Sequence, residues 1–266
     1  MMSNIINKIA GFLFAIGALL SFSGDVEAAV TATKKLPPSD TWLNKVTPGG
    51  RQADVIIWNK RNYSVPGHPE WSYYVLLGQR NYEEEAWSDF GGGEEDGSNP
   101  SHIDKRTNKP KDDKGHLSVT AAREVWEETG YIFNSDELSK SSKKGLSCDS
   151  DPGRHAKCRT FVAYNIRKPE IIPGEHPEHR YYRWVSLDDL IELVIKNPNC
   201  NSMGKKGDRT KPDKTAPVTL HYLNANNQSV TDQFEIYGAF LRTIKSTGVR
   251  QILEAIRDGN LDSEIK

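Results

Sequence analysis

The chain has 266 residues, with 35 Lys+Arg against 36 Asp+Glu and a formal net charge of -1. That balance excludes a strongly basic nucleic-acid coat and any bulk attraction to anionic lipid. The apolar fraction of 36% is low beside 27% charged residues, but six Trp, ten Tyr and eight Phe supply enough buriable area to argue against disorder.

Residues 1–28 read as a secretory leader. Lys8 precedes an uncharged run from Ile9 to Phe22, and Val26-Glu27-Ala28 is a small-x-small tripeptide suited to signal peptidase. A helix of that run reaches about 21 Å, short of the roughly 30 Å hydrocarbon core, so a cleaved signal peptide is expected rather than an anchor. Cleavage after Ala28 or Ala29 would leave the chain secreted or periplasmic, with no membrane attachment afterwards. Lys8, Asp25 and Glu27 account for the single net charge, so the remainder is neutral. An oxidising compartment would allow Cys148 and Cys158 to bond across the turn-rich segment between them, leaving Cys200 over. Cys148, His155 and Cys158 match no standard zinc spacing.

Residues 29–44 read as an extended lead-in and 45–266 as one domain. Strands are expected at 53–58 and 72–77, where β-branched and aromatic residues run together, with a turn at Pro66-Gly67 between them. Trp58, Tyr73 and Trp87 offer rings for stacking on a base, although strand aromatics usually belong to a core. A long loop rich in Gly, Pro and mixed charge spans 91–117. A helix from Ser118 to Glu128 ends at Gly130. Further strands fall at 159–164 and 180–185, and Ser186 caps a helix over 187–195. The 199–216 segment is a basic loop. A hairpin crosses Asn224–Asn227, and a last amphipathic helix from about 232 to 256 breaks near Gly248. This irregular mixture implies an α/β (α+β) class with a mixed sheet.

The chemistry lies in Arg123-Glu124-Val125-Trp126-Glu127-Glu128-Thr129-Gly130. At roughly 100° per residue, Glu124, Glu127 and Glu128 share an arc of about 100°, with Val119, Ala122 and Trp126 expected on the opposite, core-facing side. Carboxylates at these spacings repel one another, and such a cluster suits a hard cation that keeps water ligands for a phosphate substrate.

These residues resemble the second half of the Nudix hydrolase box, G-x5-E-x7-R-E-U-x-E-E-x-G-U, with Tyr131 as its last bulky residue. Phe90-Gly91-Gly92-Gly93 looks like the glycine start of that box. The stretch from Glu178-His179-Arg180 through Arg183-Trp184-Val185 looks like the family's Glu-His…Arg-Trp-Val strand. The resemblance covers roughly residues 50–256 and implies an α/β/α sandwich around a mixed sheet. Thirty residues separate Gly92 from Arg123 where the family pattern has thirteen, so an insertion of about 17 residues is expected within 93–117. The family's first glutamate then falls on Gly115, and Glu94, Glu95, Asp112 or Asp113 is left to substitute for it.

The resemblance implies hydrolysis of a phosphoanhydride in a nucleoside diphosphate linked to another group. It implies Mg²⁺, with Mn²⁺ as alternative, held by Glu124, Glu127, Glu128 and a carbonyl near Gly92. Arg123 would orient a glutamate, and Glu178, with Glu175 second, would be ligand or general base. His176 and His179 beside those glutamates also admit a zinc reading. Lysines at 140, 143, 144, 205 and 206 could meet phosphates, but solvated loops are the commoner use. The expected partner is a small diphosphate-containing molecule. An RNA 5′ end is not indicated by the charge, and nothing fixes the oligomeric state. A nucleotide-binding or regulatory module that cleaves weakly is the alternative function.

Overall fold

Strict alternation of apolar side chains commits the central sheet to two cores. The computed structural model describes residues 51–62, 71–81, 85–104, 107–130, 138, 146–150, 157–164, 178–195 and 213–261. Strand β1 (Arg51–Asn62) sends Val55 and Ile57 to one core and Ile56 and Trp58 to the other. Strand β2 (Trp71–Arg80) does the same with Leu76 against Val75 and Leu77. Such two-sided burial requires cover on both faces.

The cover is helical. On one face α1 (Leu117–Thr129) packs Leu117, Ala121, Ala122 and Val125 against Val55, Ile57 and Phe90. On the other, α2 (Leu187–Ile195), α3 (Gly238–Lys245) and α4 (Thr247–Arg257) bury Leu190, Phe240, Ile244, Ile252 and Ile256. The result is the expected α/β/α sandwich around a mixed sheet.

The remaining strands are β3 (Trp87–Ser88), β4 (Phe90–Gly93), β5 (Ile103–Asp104), β6 (Lys109–Pro110), β7 (Ser147–Ser150), β8 (Lys157–Tyr164), β9 (His179–Ser186), β10 (Val218–Leu223) and β11 (Ser229–Phe234). The main sheet runs β11-β10-β9-β2-β1-β8-β7, with β1 and β8 parallel. One edge of β1 is shared: Ile57 to Asn62 pair with β2, whereas Gln52 to Val55 pair with β4. That change of partner brings the glycines of β4 alongside α1, which packs on both β1 and β4.

Several expectations need correction. The 91–117 loop is partly ordered: β4 reaches Gly93, β5 and β6 form a small hairpin, and Asp96 bridges Asp112. The final helix starts later than expected because β11 extends to Phe234, and it breaks at Ser246, whose extended backbone separates α3 from α4. No disulfide joins Cys148 and Cys158. Their strands pair Cys148 with Thr160 and Cys158 with Ser150, so neither thiol stands opposite the other. Burial pushes the Cys148 thiol up to about 12. Trp58 is 1% exposed with its ring 4.7 Å from that of Tyr164, and the Trp87 ring lies tilted 5.1 Å from that of Phe234. Trp58 and Trp87 are therefore core residues rather than a base-binding surface, and Tyr73 packs against the same core.

The leader, the lead-in, the Pro66-Gly67 turn, Tyr131, the lysines at 140, 143, 144, 205 and 206, His155, Cys200, Glu175 and His176 lie outside the described residues.

Candidate active site

Helix α1 ends at Gly130, whose left-handed backbone (φ 68°) closes the helix with an N–H donated to the Trp126 carbonyl, as the sequence predicts. Its orientation differs from the expected one. Ala122 faces the core as expected, but Val119 and Trp126 are half-buried, and the rest of the core face is Leu117, Ala121 and Val125. The acidic arc thus lies beside the core stripe instead of opposite it. At roughly 100° per residue Glu128 falls between Leu117 and Ala121 around the helix, which is why this carboxylate is only 3% exposed.

Each glutamate has its own surroundings. Glu124 accepts a bond from Arg123 Nη1 at 2.8 Å and lies against Gly92. A Cβ at position 92 would stand 2.6 Å from that carboxylate, so any larger residue there would have to push Glu124 aside. Glu127 accepts from Lys111 Nζ at 2.9 Å and from Arg123 Nη1 at 3.2 Å. Glu128 accepts from the Gly91 amide at 3.2 Å, while Tyr182 donates its hydroxyl to the Glu128 carbonyl.

Arg123 is the hub. It is 2% exposed and gives Nε to Asp113 Oδ1 at 3.0 Å and Nη2 to Asp113 Oδ2 at 2.8 Å. It also donates to the Gly93 carbonyl at 2.8 Å. Burial alone would lower its pKa, but Asp113, Glu124 and Glu127 hold the guanidinium charged. It positions carboxylates and has no surface left for substrate.

Of the four acids weighed for the place of the first box glutamate, Asp113 is the one bonded to Arg123. Glu94 pairs with Arg51, with Arg51 Nε 2.7 Å from Glu94 Oε2; Glu95 meets His102; and Asp112 caps the Lys114 amide. Gly115, where the family pattern puts the glutamate, sits in a left-handed turn (φ +73°) and gives its carbonyl to Arg51.

Glu178 lies within charge-coupling reach of Glu128. Its carbonyl accepts the Asn81 amide at 2.6 Å. The neighbouring His179 turns inward, 2% exposed, edge-on to Phe90 and against Gly78. Burial, helped by Arg80, pushes its imidazole down to about 3. A ring packed into the core against Phe90 and Gly78 does not serve the zinc reading.

Electrostatics bear on the metal question. Burial pushes Glu124 up to about 7, with Glu127 adding to the effect against Arg123. Burial also raises Glu128 well above its ordinary value, and Glu124 and Glu178 raise it further. Among the described residues no three His, Cys, Asp or Glu side chains form a ready-made metal cluster. The donor set nevertheless fits a divalent ion: the carboxylates are hard oxygen donors, the Gly92 cradle admits Glu124, and mutual repulsion is what a cation would relieve. A polar cavity of about 20 Å³ beside Glu128, with Asp54, Arg80 and Asp89 on its walls, has room for water.

A pH dependence follows. The folded pKa of Glu124 lies above its ordinary 4.5, so the metal-free native state binds the extra proton. Its stability is therefore greatest below pH 4.5 as far as this group is concerned, and is lost as pH rises through about 7, with Glu128 acting in the same sense. The expected loss is up to about 3 kcal/mol for a shift of this size. Urea melts of metal-free protein at pH 5.5 and 8 check it, and added Mg²⁺ should remove the difference.

The glycines of β4 lie beside β1, and the helix that follows the β5–β6 hairpin presents glutamates around a buried arginine. The NUDIX domain model matches residues 50–201, and the chain belongs to the NUDIX family as an enzyme of its pyrophosphohydrolase class. No curated protein matches the sequence. Among solved structures the chain is similar to a MutT/nudix family protein from Enterococcus faecalis, at 14% identity over 87% of this chain and 80% of that one, with a TM-score of 0.35. It is similar to the Ap4A hydrolase of C. elegans, at 15% identity over 54% of this chain and 86% of that one, with a TM-score of 0.30. It also resembles the NUDIX domain of Shewanella oneidensis NrtR complexed with ADP ribose, at 13% identity over 59% and 90%, with a TM-score of 0.32.

Proposed function

We propose that the chain is an exported, Mg²⁺-dependent hydrolase of a nucleoside diphosphate linked to a second group. The observation that carries this reading is the buried Glu128 carboxylate, crowded by the charges of Glu124 and Glu178. Holding acids together under burial is unfavourable unless a cation is their working partner.

Glu124, Glu127 and Glu128 would hold the ion, with a β4 glycine carbonyl as further donor. Bound Mg²⁺ supplies neutralisation of the diphosphate and acidifies water at the site. Arg123 keeps Glu124 and Glu127 aimed while Asp113 keeps Arg123 in place. Glu178, whose charge bears on Glu128, would take the proton from the attacking water. The leaving group is a nucleoside monophosphate or the other phosphorylated half.

The test is a panel of ADP-ribose, dinucleoside polyphosphates, nucleotide sugars, inositol pyrophosphates and capped RNA with Mg²⁺, comparing wild type and Glu178→Gln. A general base contributes about 10²- to 10⁴-fold, so Glu178→Gln should lose at least the lower figure on the best substrate. Unchanged turnover rejects that residue as base; no turnover of any substrate by wild type rejects the whole reading. Export is checked by N-terminal sequencing of chain expressed with its leader, expected to begin at Ala29 or Val30.

A further inference from the structure

We propose that Lys111 is an exchangeable cation of the reaction centre: its ammonium neutralises Glu127 while no divalent ion is held there, and turns to the substrate's diphosphate once an ion takes over that carboxylate. This rests on the reading that the α1 glutamates hold the ion.

Lys111 comes from the 93–117 segment, from which Asp113 also clamps Arg123. Its backbone is fixed in the insertion's own hairpin, donating N–H to the His102 carbonyl at 2.7 Å and accepting the Gly97 amide at 2.9 Å. The base of the side chain is thereby anchored while its flexible four-carbon stem can swing. Nζ lies 2.9 Å from Glu127 Oε2, with the lysine side chain 16% exposed at the rim of the site.

The two cations on Glu127 differ in freedom. Arg123 is buried and clamped by both oxygens of Asp113, so it cannot leave. Lys111 is held to Glu127 by a single ion pair from a side chain that reaches solvent in part, so it can. Its charge also reaches Glu124. A plain tether between insertion and helix would need no ammonium in the middle of the glutamate face.

Charge balance gives the exchange its purpose. Glu124, Glu127, Glu128 and Glu178 gather more negative charge than one divalent ion cancels, and a diphosphate then has to approach. On the Glu128 side Arg80 offsets that charge; on the Glu127 side Lys111 does. Once displaced from its carboxylate, an ammonium at the rim lies where phosphate oxygens arrive.

The test uses full-length protein, Lys111→Met, which keeps the stem without the charge, and Lys111→Arg. Mn²⁺ binding to substrate-free protein, read by electron paramagnetic resonance, should tighten about three- to tenfold in Lys111→Met, because a competing cation is gone. Binding of α,β-methylene-ADP in excess Mg²⁺, read by calorimetry, should weaken about tenfold, with Lys111→Arg close to wild type. Turnover should show the same rise in KM with kcat moved far less. Tighter Mn²⁺ with unchanged nucleotide affinity overturns the proposal, as do both affinities staying within twofold of wild type, whatever the melting temperature does. Glu127→Gln is measured alongside. Mn²⁺ binding that falls in Glu127→Gln but ignores Lys111→Met removes the lysine's role alone. Mn²⁺ binding indifferent to Glu127→Gln removes the metal assignment, and this proposal with it.

Discussion

Replacing Glu128 with glutamine is expected to cut Mg²⁺-dependent turnover on the order of 10³-fold or more, about 4 kcal/mol of transition-state stabilisation. The same change should raise the melting temperature of the metal-free chain. Both effects have one source. The Glu128 carboxylate is 3% exposed, and burial, Glu124 and Glu178 all disfavour its charge. Glutamine keeps the shape, and its carbonyl oxygen can still accept the Gly91 amide, so the helix and its contacts survive. What disappears is a carboxyl that burial and its acidic neighbours force to hold a proton while no cation is present, a cost the native state carries until its counterion arrives. Wild type should gain stability when Mg²⁺ is added, by the linkage that any native-state ligand gives, and Glu128→Gln should gain much less. Steady-state rates and thermal melts with and without Mg²⁺ read both halves. Equal turnover in the two proteins would remove Glu128 from the metal site, and a lower metal-free melting temperature would mean that its charge is paid for within the fold.

The glutamate helix could be read from the chain because its chemistry is local. Arg123 through Gly130 carries the box residues at fixed spacing, and the glycine at its end has a conformation that the sequence dictates. Strand cores at 53–58 and 72–77 were equally legible, since β-branched and aromatic runs in a two-sided sheet mark themselves. The side of α1 that meets the sheet was not. Ala122 falls inside as expected, but beside it Trp126 looks like the better core residue by size, yet the small Ala121 allows close approach to the sheet and takes that place. The replacement of the first box glutamate was illegible for a different reason. Which of Glu94, Glu95, Asp112 and Asp113 reaches Arg123 depends on where the inserted hairpin returns, and that is set by the backbone pairs of Glu95 with Asp113 and Asp96 with Asp112. Lys111 escaped notice on the same ground: one lysine in a charged loop carries no signal until the loop is folded against α1. The cysteines misled because a short spacing suggested a bond, whereas the register of β7 on β8 decides it.

Asp113→Ala should lower the stability of the whole domain by about 3–5 kcal/mol, the range for removing one partner of a buried ion pair. Asp113 and Arg123 side chains are each 2% exposed, and two parallel bonds join them. Removing the carboxylate leaves a buried guanidinium whose other contacts, with Glu124, Glu127 and the Gly93 carbonyl, must then bear its charge. The insertion loosens as well, because Asp113 Oδ2 also accepts the Glu95 amide at 3.0 Å. Turnover should therefore fall even in molecules that remain folded, since Glu124 and Glu127 lose their aim. Supplying the family's glutamate at its usual place should not repair this. Gly115 has φ +73° and lies 3.5 Å from Arg51 Nη2 by the Cβ it would carry, and a side chain in the left-handed region costs about 1–2 kcal/mol. A glutamate there would point toward Arg51, already paired with Glu94. The double variant Asp113→Ala/Gly115→Glu is thus expected to be no more stable in urea than Asp113→Ala. Rescue by the second change would show that Arg123 can draw its partner from the turn itself. An Asp113→Ala loss below about 1 kcal/mol, the scale of an exposed pair, would show that the bidentate pair does not organise the site.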